Sequence, residues 1–130
     1  MADPLHVELV APDRTVWSGE ATIVITRTAD GDIGILSDHA PLLGLLVDGV
    51  VEIRTTDGDH IVAAVGGGFL SVAQNRVSIL AEYAALTDEI DIEAARSELE
   101  RAQSAGEHDE EALEHARRAE ARIRAVEKAS

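Results

Sequence analysis

The apolar and polar positions along the chain follow two different periods. From Leu5 to about Leu86, apolar and β-branched residues recur in short runs: HVELVAP, ATIVITRTADG, GVVEIRTTDG, HIVAAVGGG, FLSVAQN and RVSILAEYA. Turn residues close each run, which is the pattern of short strands rather than helices. Asp57-Gly58, between VEIRT and HIVAAV, predicts a tight two-residue hairpin, because glycine takes a positive φ cheaply. Gln74-Asn75, between FLSVA and RVSIL, predicts a second turn, since asparagine tolerates the left-handed region. Strands this short and this numerous point to a sandwich or flattened barrel dominated by antiparallel pairing.

After Thr87 the spacing lengthens to three and four. In DIEAARSELERAQ, Ile92, Ala95, Leu99 and Ala102 fall on one helix face. Asp91 is placed to cap that helix, and Glu93 suits the positive end of its dipole. SAGEHD interrupts the pattern, with Gly106 available for a left-handed C-terminal turn. A second helix is expected from about Asp109, with Glu110 and Glu111 in its first turn and an apolar line of Leu113, Ala116, Ala119, Ile123 and Val126. The short link makes the two helices an antiparallel hairpin. The expected class is therefore α+β: a β-domain over 1–86 and a helical hairpin over 87–130. The stripes of the hairpin are thin and alanine-rich, so it is either a static pair resting on the sheet or an arm able to leave it.

Charge changes the picture in two ways. The 130 residues carry a formal net charge of −14, which excludes nucleic-acid binding by phosphate neutralisation. Only Trp17, Phe69 and Tyr83 are aromatic, so base-stacking platforms are excluded too. Against that background the last helix is basic: Arg117, Arg118, Arg122, Arg124 and Lys128 face Glu114, Glu120 and Glu127. Either this is a solvated face with (i, i+4) pairs such as Glu114–Arg118 and Glu120–Arg124, or the helix docks on an acidic surface.

Catalytic chemistry finds little to work with. The chain has no cysteine, which removes thiol catalysis, disulfides and zinc-thiolate sites. Gly66-Gly67-Gly68 lacks the Lys-Ser/Thr of a phosphate loop and suits a bulge or a close backbone approach within the sheet. The serines lack a Gly-x-Ser-x-Gly elbow. Histidines 6, 39, 60, 108 and 115 show no metal-ligand spacing, and no metal is expected. With no set of nucleophile, base and orienting group, the expectation is a non-catalytic coupling or regulatory component. No window is apolar enough to span a membrane, and no basic, apolar leader opens the chain, so a protein that stays in its compartment of synthesis is expected.

One stretch remains unexplained: GDIGILSDHAPLL, residues 31–43, which sets Asp32, Asp38 and His39 within an apolar run. Gly31, Gly34, Ile35, Leu36, His39, Ala40, Pro41, Leu42 and Leu43 match a Gly-x-x-Gly-Ile-Leu-x-x-His-Ala-Pro-Leu-Leu signature. VELVAPDRTVWSGEA, GGGFLSV, NRVSILAEYA and IDIEAA agree in order and spacing. Over nearly its whole length the chain resembles the epsilon subunits of bacterial F-type ATP synthases.

The resemblance implies a ten-stranded β-sandwich followed by a helical hairpin. It implies a non-catalytic place in the rotating central stalk, bound to the gamma subunit and standing on the ring of c subunits (the c-ring), peripheral to the cytoplasmic face of the bacterial cell membrane without inserting into it. The family's His-Ala-Pro loop faces the c-ring, and Asp32, Asp38 and His39 match it here. The family's last helix, when extended, reaches the alpha and beta subunits and blocks ATP hydrolysis; Arg117, Arg118, Arg122 and Arg124 are the matching candidates. Some members also bind ATP between the helices through Ile/Leu-Asp-x-x-Arg-Ala. Here Ile90, Asp91 and Arg101 remain, with Arg118 and Arg122 of the second helix at a suitable four-residue spacing, but Ala94 stands where the motif has arginine, which removes a phosphate-capable fork. Beyond such a regulatory ATP, no cofactor is implied. An ATP-sensing module thus stays as the alternative, and an unrelated β-sandwich adaptor as a third reading.

Overall fold

A computed structural model describes residues 3–106 and 109–129. His108, one of the histidines considered above, lies outside them, as do Met1, Ala2, Glu107 and Ser130. The described residues form seven strands: β1 (Leu5–Ala11), β2 (Arg14–Thr28), β3 (Gly31–Leu36), β4 (Leu42–Leu45), β5 (Gly49–Thr55), β6 (His60–Ala73) and β7 (Arg76–Leu86). A 3-10 turn (Thr87–Glu89) leads to helices α1 (Ile92–Ser104) and α2 (Glu110–Ala129). The α+β class is as expected, but the number of strands is seven and not ten. The difference lies in long strands: β2 and β6 change partners part-way, and β7 runs along β6 for its whole length while β1 covers only Arg76–Leu80. β2 pairs with β1 through Arg14–Ala21 and with β3 and β5 beyond it. β6 pairs with β5 over His60–Val65 and with β4 over Phe69–Val72.

The strand order β1–β7–β6–β5–β2 closes on itself, because β1 also pairs with β2. Closure removes open edges along that circuit, and it makes β1–β7 a parallel contact in an otherwise antiparallel sheet. Inside lies one core in which Leu5, Leu9, Ile35, Ile53, Leu70 and Ile79 are fully buried. Each such side chain contributes about 1.5–3 kcal/mol relative to exposure.

The three glycines serve this closure. Ala63 and Val65 of β6 point into the main core, and so do Leu70 and Val72, so the inward positions change from odd to even between them. A strand alternates strictly, and it can switch only where the backbone leaves the extended region. Gly67 and Gly68 do so, with φ of +61° and +113°. A Cβ at Gly68 would stand 1.9 Å from the Leu80 carbonyl oxygen. The pairing register with β7 runs unbroken on both sides, so the glycines make a close backbone approach and not a bulge.

Asp91 caps α1 as expected, accepting from the N–H groups of Glu93 (3.0 Å) and Ala94 (3.2 Å). Asp109 does the same for α2 through the Ala112 N–H (3.1 Å). The α2 helix packs against β5, β6 and α1. The expected single apolar line holds only in part: Ala119 is fully buried and Ala116, Ile123 and Val126 are half-buried, but the line misses other buried positions. Leu113 is exposed, whereas Ala121 and Ala125 are buried against Val62 and Ala64 of the sheet. A helix covered on two sides shows no single stripe, and alanine is a weak signal for either.

Candidate partner-binding surfaces

The His-Ala-Pro loop joins β3 to β4 and is held to the end of the barrel by polar contacts. The Asp38 N–H donates to Asn75 Oδ1 (2.6 Å), and Asn75 Nδ2 donates back to Asp38 Oδ1 (3.3 Å). Ser37 Oγ donates to the Asp3 carbonyl (2.7 Å). Asp38 takes φ of +64°, a left-handed conformation that this clasp holds in place. His39 Nδ1 lies 2.7 Å from the Ala40 carbonyl, which requires the proton on Nδ1. Pro41 keeps the step after Ala40 extended. Asp38 and His39 therefore share one braced loop. Asn75 belongs to it as well, and sequence reasoning saw it only as a turn residue; its contact with Asp38 spans 37 positions.

Asp32 is elsewhere. It stands near the start of β3, four residues and about 13 Å of strand from Leu36, where the loop begins. There it faces Arg27 of β2 directly in register, taking Nε at 2.7 Å and Nη2 at 3.2 Å. The Arg27 hydrogen bonds hold the Asp32 carboxyl below its ordinary range. The pair lines a cavity of about 340 Å³ shared with Glu52, Arg124 and Lys128, under the C-terminal end of α2.

A third surface is apolar. Leu45, Phe69 and Leu80 lie directly opposite one another across β4, β6 and β7, so they share one face. Leu43 is two residues from Leu45 on the same side. All four are exposed, Leu43 by 75 % and Phe69 by 52 %. Phe69 is the only phenylalanine of the chain, yet its alternation within β6 is hidden from the sequence by the glycine switch just before it.

The four candidate arginines of α2 have different surroundings. Arg117 Nε pairs with Asp48 Oδ2 at 3.1 Å. Arg118 and Arg122 place their guanidinium carbons 5.6 and 5.7 Å from the centre of the Tyr83 ring. Arg122 also bonds Glu98 of α1, and Arg118 bonds Glu114 at 2.9 Å. Arg124 reaches Glu120 at 3.7 Å. The (i, i+4) pairs expected at 114–118 and 120–124 are thus present, but Asp48, Tyr83 and Glu98 bind the same helix from other elements.

The residues matching the nucleotide motif are not drawn together. Ile90 packs with the Val62–Ala121 cluster, and the Asp91 carboxylate is occupied as the α1 cap. Arg101 lines a cleft of about 350 Å³ between the helices together with Glu98, Asp109, Glu111 and His115. Glu98 is taken up by Arg122, and the remaining Asp109 and Glu111 beside Arg101 still disfavour a polyphosphate.

Comparison with known proteins adds the following. Residues 4–87 match the family described as "ATP synthase, Delta/Epsilon chain, beta-sandwich domain". The chain is 58 % identical to the ATP synthase epsilon chain of Streptomyces avermitilis over 126 residues, covering 97 % of this chain and 98 % of that one. It is 52 % identical to the ATP synthase epsilon chain of Rhodococcus jostii, covering 96 % and 98 %. Its fold is similar to a chain in the Euglena gracilis mitochondrial ATP synthase OSCP/F1/c-ring structure, with a TM-score of 0.79 at 24 % identity over 97 % of this chain and 81 % of that one.

Proposed function

The chain belongs to the ATP synthase epsilon-chain family, a non-catalytic subunit of that complex, and from this premise we propose that it couples the gamma subunit to the c-ring within the rotor and restrains ATP hydrolysis through its hairpin. The observation that carries the coupling role is the exposed row Leu43, Leu45, Phe69 and Leu80. An apolar patch of this kind is costly in water and marks a protein–protein contact. Gamma is the partner assigned to it. The braced loop of Asp38 and His39 is assigned to the c-ring, where a carboxylate and an imidazole suit the polar groups of a ring loop. Asp32, tied to Arg27 and set apart, leaves that contact. No described helix is long and apolar enough to cross a membrane, and a peripheral position on the cytoplasmic face follows from the proposed complex.

The inhibitory role assigns Arg117, Arg118, Arg122 and Arg124 to an acidic surface of the alpha and beta subunits once α2 extends. The ATP-sensing alternative gains no support from the acidic cleft around Arg101. Pull-down with gamma and the membrane sector tests the coupling reading. Phe69→Asp is expected to weaken gamma capture at least tenfold while the isolated chain stays folded, and undiminished capture refutes the assignment. Ending the chain after Gly106 is expected to raise ATP hydrolysis of the assembled enzyme. Unchanged hydrolysis refutes the inhibitory role and leaves the coupling role standing.

A further inference from the structure

The contact between α2 and the sheet is unusual in what it lacks. Its apolar part is Ala121 and Ala125 against Val62 and Ala64, with Val50, Tyr83 and Ile90 at the margin. Alanine methyls remove little area from water, so this interface is weak by burial alone. Polar contacts run along its whole length instead. Arg117 meets Asp48 in the β4–β5 link, Arg118 and Arg122 flank the Tyr83 ring of β7, and Lys128 reaches Glu52 of β5 at 3.6 Å. Arg122 Nη1 also donates to the Tyr83 hydroxyl at 3.4 Å.

We infer that Tyr83 is a latch: one aromatic ring held by two guanidiniums fixes α2 to the sandwich, and releasing it frees the basic face of the helix. Three observations carry this. Tyr83 lies directly opposite Gly66 in the β6–β7 pair, so no side chain on β6 screens the ring from the helix. A Cβ at Gly66 would come to 3.0 Å from Asp48 Oδ1 and 3.4 Å from Arg118 Nε, so the helix sits directly on bare backbone there. Finally, Arg118 Nε is buried and finds no hydrogen-bond partner among the described residues. An unpaired buried donor is a standing cost of the closed state, which makes the latch releasable. Arg118 and Arg122 cannot serve Tyr83 and an external acidic surface at once, so the sandwich and any such partner compete for the same cations. The latch itself concerns the chain alone, while the competition for its cations rests on the inhibitory role proposed above.

Hydrogen exchange of the full chain, read by mass spectrometry over peptides in 112–126 and 61–73, tests it. Tyr83→Leu keeps apolar bulk but removes the π face. It is expected to speed exchange in 112–126 by about tenfold, the loss of two cation–π contacts, with 61–73 unchanged. Tyr83→Phe, which loses only the hydroxyl bond, is expected to stay within a few-fold of the parent. Raising sodium chloride from about 0.05 to 1 M is expected to act on 112–126 in the same direction by screening the charged contacts. Parental exchange in 112–126 of Tyr83→Leu overturns the inference. If Tyr83→Leu also loosens 61–73, Arg118→Gln decides, because it leaves the sheet untouched: faster exchange in 112–126 supports the latch, and parental exchange overturns it.

Discussion

The barrel and the helical hairpin of this chain are built from different materials. The barrel buries leucine, isoleucine and valine inside a closed circuit of strands, whereas α2 meets the sheet through alanines and a line of charges. Burial of large aliphatic side chains is strong and insensitive to salt. A seam of ion pairs and cation–π contacts is weak per contact, screened by salt, and open to competition. The contrast teaches that one small chain can keep a rigid platform and a detachable arm without a separate hinge domain.

The comparison breaks hardest at the core. Ile79→Ala, at a fully buried site of β7, is expected to cost about 2–5 kcal/mol of global stability, read as a lower midpoint in urea. A loss below about 1 kcal/mol contradicts a platform held by aliphatic packing. At the junction, Asp91→Ala removes the acceptor of two N–H groups at the start of α1. It is expected to cost about 1 kcal/mol of helix stability, visible as lost helical circular dichroism, with the β-sheet signal unaffected. Loss of the sheet signal together with the helix shows that the two regions are not separable.

The smallest effect is acid sensitivity at the strap between the regions. Arg14, at the start of β2, holds Glu89 of the 3-10 turn through two hydrogen bonds, 2.7 and 2.8 Å long. These bonds, with one from the Leu86 N–H, hold the Glu89 carboxyl below its ordinary value of 4.5. A carboxyl with a lowered value in the folded chain binds fewer protons than in the unfolded one. Its stabilising contribution is therefore present above the ordinary value and fades as pH falls below it. Glu89→Gln is expected to match the parent near pH 3 and to be slightly less stable at pH 7 in thermal melts. Equal melts at both values show that the strap is idle. Both side chains keep a third or more of their surface in water, so the difference is small.

How legible the molecule was depended on the range of the interaction concerned. The change of period near Thr87, the Gln74-Asn75 turn and the Asp91 cap were readable, since each is a local conformational preference of a few adjacent residues; Asp57-Gly58 does mark a turn, but its loop is longer than the two residues expected. Gln74 and Asn75 do take positive φ, 50° and 62°. The division of strands was harder, because β2 and β6 continue through the points where they change partners, and the ten strands implied by the resemblance are seven here. Leu113 was misplaced for a related reason. Helical periodicity reports one buried face, whereas α2 is covered by both α1 and the sheet.

At the candidate surfaces the residue types were readable and their grouping was not. GDIGILSDHAPLL announced its two carboxylates and histidine, but strand length separates Asp32 from the other two, and Arg27 holds it where it stands. Asn75 carried only its turn signal and Tyr83 none, since their partners lie 37 and about 35–39 positions away in the chain. The basic character of α2 was plain from composition; that Asp48, Glu52, Tyr83 and Glu98 receive it was not. Sequence by itself determined the β-then-α order, the absence of cysteine chemistry and the family, because these follow from local pattern and residue identity. Only the tertiary structure decided which apolar side chains stay outside and which charges meet. Those outcomes depend on barrel closure and the glycine switch in β6, which bring distant residues face to face.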